Sequence, residues 1–257
     1  MATIDTHAYL SRWPFRRLAG DESPAEFTAA MRAHDVRQVW AGSFDGLLHK
    51  DIGGVNARLA AECKGSGMLV PFGSVNPALP DWQEDVRRCR EVHRMPGIRL
   101  HPNYHGYTLA DPRFTELLGL AVRAGLIVQL VVNMEDDRTQ HPMLQVPTVD
   151  LRPLEAILPR VTGLKLTVHN QRHDAQVKKL ADAGQVYFDF GGVERVRGVA
   201  NLARQITPER VIFGSHFPLF YIESGLFKMR ESGLSAGELQ AIGEGNAAKL
   251  LSAGASR

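Results

Sequence analysis

Ten histidines are spread along this chain of 257 residues. Six of them, His7, His101, His105, His141, His169 and His216, stand at or just beyond segments that read as the carboxyl ends of β-strands. Imidazole is a preferred zinc ligand and an acid or base that works near neutral pH. A histidine by itself is usually a hydrogen-bonded structural residue. Unrelated structural histidines need not gather on one face, so the set points to a functional cluster of three or more. Other polar groups fall at the same ends: Asp5 and Tyr9, Ser43 and Asp45, Asn76, Arg99, Asn133 with Glu135 to Arg138, Lys165 and Asn170, Asp189, and Ser215.

A scaffold must bring these ends together. The pattern alternates strand and helix along the whole length. Strands are expected at Ala2–His7, Arg37–Ser43, Met68–Val75, Ile98–His101, Leu126–Val132, Gly163–Val168, Val186–Phe190 and Arg210–Gly214. Leu126–Val132 (LIVQLVV) is nearly continuous in apolar residues, as a strand buried on both faces of a parallel sheet must be. Helices are expected between them, with Ser23 capping a helix that starts at Pro24 and Asp111 capping one that starts at Pro112. A single long helix is expected over Ser235–Ala253. A short helix is expected at Val149–Leu158 and a further helix at Val193–Gln205. Eight βα units of about 30 residues favour a closed (β/α)₈ TIM barrel, 1–257 as one domain, over an open doubly wound sheet. The first strand also lacks the glycine-rich turn that an open nucleotide-binding sheet carries. In a closed barrel, residues at the strand carboxyl ends converge on one mouth. The segment Asn133–Thr148 is long and aperiodic for a βα loop, which marks it as functional.

Composition narrows the function. Thirty basic and 28 acidic side chains leave a net charge of +2, too weak a field to argue for nucleic acid. No apolar run approaches the ~18 residues of a membrane span. Cys63 and Cys89 share no ligand spacing and read as reduced thiols of a cytoplasmic protein without a signal peptide. The expected partner is a small molecule, with a homodimer as the default assembly.

Several motifs, in order, resemble the amidohydrolase superfamily, in its aminocarboxymuconate-semialdehyde decarboxylase-like branch. These are Ile4-Asp5-Thr6-His7, Gly97-Ile98-Arg99-Leu100-His101-Pro102, Leu164 to His169, Val211-Ile212-Phe213-Gly214-Ser215-His216-Phe217-Pro218, and Gly245-Asn246-Ala247-Ala248-Lys249-Leu250. The resemblance implies a metal-dependent hydrolase or decarboxylase barrel. His7 matches a metal-binding histidine, and His169 matches the sixth-strand histidine that contacts substrate or water. The chain departs from the pattern where the chemistry sits. Tyr9 stands in place of a second histidine ligand, His216 in place of the eighth-strand aspartate, and no histidine ends the fifth strand.

Those departures leave three readings open. In the first, His7, His141, His169 and His216 hold one divalent metal, zinc by preference, and His169, His216 and Glu135 carry the acid–base steps. An all-imidazole site lowers the pKa of bound water strongly but lacks a carboxylate base unless Glu135, Asp136 or Asp189 supplies one. Arg12 and Arg99, with His101 and Tyr9, would hold the substrate. The second reading is a metal-free enzyme using His169 and His216 as acid and base. The third is a non-catalytic barrel that binds a ligand or partner.

Overall fold

The computed structural model describes residues 2–18, 23–172 and 174–255, the last three by their backbone alone. Eight parallel strands run in sequence order: β1 Thr3–Leu10, β2 Val36–Ser43, β3 Leu69–Ser74, β4 Gly97–Leu100, β5 Ile127–Val131, β6 Lys165–His169, β7 Val186–Asp189 and β8 Val211–Ile212. The first and last meet across the seam. Thr6 N donates to Phe213 O at 2.9 Å, His216 N to His7 O at 2.7 Å, and Tyr9 N to Phe217 O at 2.9 Å. The sheet is therefore a (β/α)₈ barrel, and every residue of β1 and β5 is buried.

The expected caps are present. Ser23 accepts from Glu26 N ahead of the helix Pro24–Ala33, and Asp111 accepts from Arg113 N ahead of Pro112–Arg123. Three helices differ from the sequence expectation. Val149–Leu158 shrinks to Leu154–Ile157, because Pro153 has no N–H to continue a helix through it. The helix expected from Val193 begins only at Gly198. The long final helix is interrupted: Ala236–Gln240 and Asn246–Ala255 flank a wide π-type turn at Ala241–Gly245. The widening has a cause, since Ile242 O accepts from Phe213 N at 3.1 Å and so serves the strand end. Asn246 completes the join by donating to Val211 O at 2.7 Å and Pro208 O at 2.8 Å.

Near the amino ends of the strands, Ile4, Trp40, Phe72 and Ile127 pack with Ala247 and Leu250 of the last helix. That cluster closes one end of the barrel with apolar surface. The polar interior residues are left to the other end.

Candidate active site at the carboxyl mouth

Period-two alternation turns Arg99 of β4, Gln129 of β5 and Thr167 of β6 toward one interior network. Arg99 is fully buried. Its guanidinium donates to Gln129 Oε1 at 2.8 Å, Ala8 O at 2.7 Å and Trp40 O at 2.8 Å, and it lies over the Tyr9 ring at 4.6 Å. It can sit there because β2 carries Gly42 at that level, where a Cβ would stand 2.6 Å from an Arg99 nitrogen. Every strong donor of Arg99 is thus spent inside the barrel. The expectation that Arg99 holds substrate charge is corrected: it braces the strands.

One layer higher, His7, Tyr9, His101, His169, Asp189 and His216 come together, all essentially without solvent exposure. Their partners assign the protons. Arg99 can only donate, so it fixes Gln129 Oε1 toward itself, and the Gln129 amide N–H groups face Thr6 O at 2.7 Å and His169 Nε2 at 3.3 Å. His169 Nε2 is then an acceptor, and Nδ1–H donates to Asp189 Oδ2 at 2.8 Å. His7 Nδ1 approaches the same oxygen at 3.3 Å. Its Nε2 accepts from Tyr9 Oη–H at 3.0 Å, and Tyr9 Oη accepts from His101 Nε2–H at 2.9 Å. This leaves His101 Nδ1 as a bare lone pair, and among the described residues it has no partner. The other carboxylate oxygen of Asp189 accepts from Asn170 N at 2.9 Å and Gly191 N at 3.3 Å.

His216 occupies a left-handed backbone conformation, φ 60°, at the end of the β8 segment. Its Nε2–H donates to Met134 O at 2.5 Å, and its Nδ1 faces His7 at 3.2 Å. Asp5 anchors the seam below by accepting from Ser215 N at 2.9 Å, His7 N at 3.0 Å and the Ser215 hydroxyl.

Burial governs the charge states. It pushes the Asp5 carboxyl up to about 6 against the opposing hydrogen bonds from Ser215 and His7. Burial lowers His216 to about 4 despite its bond to Met134. It also lowers His7 and His101, with neighbouring imidazoles adding to the effect, and it lowers His169 against the pull of Asp189. At neutral pH the four rings are neutral, which is the form that ligates metals.

His7, His169 and Asp189 each offer a ligand atom within 4.8 Å of the others. Two imidazole nitrogens and a carboxylate oxygen suit a divalent ion such as zinc or manganese. Gly214 leaves the space: a Cβ there would stand 2.7 Å from Asp189 Oδ2 and 3.0 Å from His7 Cβ. The donor set therefore fits one divalent ion, with Asp189 in place of a further histidine.

The other expected site residues lie elsewhere. His141 is corrected: it is exposed at the rim, stacked on Phe15 at 5.2 Å, and its Nδ1 accepts from Met143 N. The aperiodic loop carries it away from the strand end, so it is not part of the buried donor set. Arg12 is exposed beyond β1. Glu135 is buried, and Arg16 donates to it at 2.7 Å. The sequence offers Asp189 as a strand-end carboxylate and a possible base, not as the shared partner of two imidazoles, and it gives no sign of the parts played by Gln129, Thr167 and the Met134 carbonyl.

A cleft of about 610 Å³ opens over this layer, lined by Asn133, Glu135, Asn170, Arg172, Arg195 and Phe220 among others. Asn170 follows His169 directly, and the Phe220 ring lies 4.8 Å from that of His216. On the Tyr9 side the layer is packed by apolar residues. Trp13, Phe44, Leu47, Val131 and Met134 pack on Tyr9 as one apolar group, with Phe15, Leu18 and Tyr104 against it.

The sequence model of the amidohydrolase family matches residues 4–252. No curated protein sequence matches the chain. Among solved structures, the chain resembles a 2,6-dihydroxybenzoate decarboxylase from Rhizobium, with 13% identity and a TM-score of 0.74 over 98% of this chain and 99% of that one. It resembles a 5-carboxyvanillate decarboxylase from Sphingomonas paucimobilis, with 12% identity and a TM-score of 0.76 over 98% and 99%. It also resembles a dihydroxybenzoic acid decarboxylase from a Polaromonas species with bound manganese and 2-nitroresorcinol, with 12% identity and a TM-score of 0.76 over 98% and 97%. At these identities the likeness establishes the fold.

Proposed function

Because the chain belongs to the amidohydrolase family, we propose that it is a hydrolase or decarboxylase acting on a small carboxylate- or amide-bearing molecule at the carboxyl mouth of its barrel. One observation carries this reading: His7 and His169 converge on a single oxygen of Asp189, with His216 packed against His7 and against Phe220, which lines a cleft of substrate size. Aromatic carboxylates are the first class to try, since the similar decarboxylases act on such acids by name. Phe220 offers the cleft an aromatic wall, and Arg172 and Arg195 offer it cations suited to a carboxylate.

A divalent ion held by His7, His169 and Asp189, zinc or manganese, would supply Lewis-acid polarisation of a substrate oxygen. The chain's own groups do the rest. Substrate entry displaces Met134, which frees His216 Nε2–H to donate to the substrate or deliver a proton. Thr167 keeps His169 oriented from behind its ring. Glu135, at the cleft wall, accepts or returns a proton once Arg16 lets go of it. The apolar residues packed on Tyr9 keep water from that side of the cluster.

The test is a panel of hydroxybenzoates and small amides assayed with added Mn²⁺ or Zn²⁺, following CO₂ release and hydrolysis separately. Turnover of at least one class is expected. A second reading, a metal-free or non-catalytic binding barrel, is favoured by Tyr9 Oη engaging His7 Nε2 where the family pattern has a second imidazole. Saturable ligand binding in a thermal-shift assay with no turnover across the panel would support it instead.

A further inference from the structure

Only one of the two imidazoles facing Asp189 is locked in its proton position. For His7 the alternative tautomer is open. If Nε2 carried the proton, Tyr9 Oη could accept it, keep accepting from His101, and send its own hydrogen to Met134 Sδ, 3.4 Å away. For His169 the alternative meets a donor. Gln129 Nε2 stands 3.3 Å from His169 Nε2, and Gln129 cannot turn its amide, because Arg99 Nε–H holds Oε1 at 2.8 Å and Thr6 O holds Nε2 at 2.7 Å.

Among the described residues, Thr167 is the neighbour that can serve both states. Its Oγ1 lies 2.7 Å from His169 Nε2 and 3.5 Å from Val128 O. With Nε2 bare, the hydroxyl donates to it. With Nε2 protonated, the hydroxyl turns, accepts that hydrogen and sends its own to Val128 O.

We propose that Arg99, Gln129 and Thr167 together form a tautomer gate on the divalent-ion site: Arg99 and Gln129 hold His169 as the Nδ1–H form, and ion loading moves that proton to Nε2, where Thr167 receives it. The proton count is unchanged: the Nδ1–H bond to Asp189 is lost, an Nε2–H bond forms, and Nδ1 presents its lone pair to the ion. Arg99, Gln129 and Thr167 touch no substrate or ion and are positioning residues. The proposal rests on the reading that His7, His169 and Asp189 hold a divalent ion, and it adds what sets the affinity for one.

The experiment uses the full chain with Zn²⁺ alone as the probe. Histidine ring nitrogens are followed by long-range ¹H–¹⁵N NMR, with resonances assigned through His169→Gln, and Zn²⁺ affinity is measured by calorimetry. Without Zn²⁺, His169 is expected as the Nδ1–H form, and with Zn²⁺ as the Nε2–H form. Thr167→Val keeps the shape and removes the switchable hydroxyl. It should weaken Zn²⁺ binding about 10- to 100-fold, the range for groups behind a ligand, and Thr167→Ser should restore it. An Nε2–H form before loading, no Zn²⁺ binding by the unaltered chain, or Thr167→Val binding as tightly as Thr167→Ser would each overturn the proposal. A chain that shows the tautomer change and the Thr167 effect yet turns over no substrate would keep this inference and remove the enzymatic one.

Discussion

His169 Nδ1 lies 2.8 Å from Asp189 Oδ2, and neither side chain has any solvent exposure. His7 shares that oxygen, and two backbone N–H groups occupy its partner, so the carboxylate has its full set of donors. Replacing Asp189 by Asn puts a donor where two imidazoles donate. Bonds to charged groups contribute about 1.5–3 kcal/mol each, so Asp189→Asn is expected to cost roughly 3 kcal/mol or more, read from urea unfolding, and to abolish divalent-ion binding. Unchanged unfolding midpoints would contradict the assignment of those bonds.

Gly214→Ala tests the same space without altering a ligand. The new methyl would meet Asp189 Oδ2 at 2.7 Å and cannot be relieved by a flexible tip alone, since Asp189 Cβ and His7 Cβ stand 3.0 Å away. A destabilisation of about 1–3 kcal/mol is expected from overpacking, together with weaker ion binding. Calorimetric titration of Gly214→Ala with Mn²⁺ checks it.

The buried rings also set a pH dependence. His216 titrates near 4 in the folded chain and near 6.5 when unfolded. Above about 6.5 the ring is neutral in both states and contributes no pH dependence. As pH falls from about 6.5 to 4, the unfolded chain takes up the proton and the folded chain does not, so stability is lost, by roughly 3 kcal/mol for this group. His7, His101 and His169 are lowered too and act in the same direction. Asp5, raised to about 6, acts the other way: its folded form keeps a proton that the unfolded form has released between about 3.8 and 6. Unfolding free energy measured at pH 7.5 and 4.5 should fall steeply on acidification, and less steeply in His216→Asn. Equal slopes for the two proteins would count against His216 being buried and neutral.

Arg99 is expected to matter for the fold rather than for substrate charge. Arg99→Met leaves Gln129 Oε1 and the carbonyls of Ala8 and Trp40 without donors in a dry interior. At about 1–3 kcal/mol for each stranded group, a loss of several kcal/mol follows, and a melting temperature lower by roughly 10 °C or more. A variant that melts normally but binds carboxylates poorly would restore Arg99 to the substrate.

These expectations separate what the sequence discloses from what it does not. The barrel was legible because Leu126–Val132 and its counterparts carry the apolar pattern of parallel strands, and because Ser23 and Asp111 are good caps. His101 and His169 can be placed at the mouth because they stand at strand ends, and strand ends converge in a barrel; His7 lies inside β1, which runs on to Leu10, and His216 lies past the end of β8. His141 could not be placed, because an aperiodic loop has no register. Arg99 read as a substrate residue because a strand-end arginine and a buried brace look alike until Gly42 is seen beside it. Gln129 and Thr167 are hidden in apolar runs, where one polar residue carries no sign of the partners that neighbouring strands bring to it.

The central claim, that the histidine layer under the cleft is a catalytic centre, is tested most directly by turnover in His169→Asn and His216→Asn. Both would be compared with the unaltered chain on the best substrate of the hydroxybenzoate and amide panel, with Zn²⁺ or Mn²⁺ present. A loss of about 100-fold or more in kcat is predicted for each, with the far-ultraviolet circular dichroism unchanged. Turnover that survives both substitutions, or a complete panel that the unaltered chain leaves untouched, would contradict it.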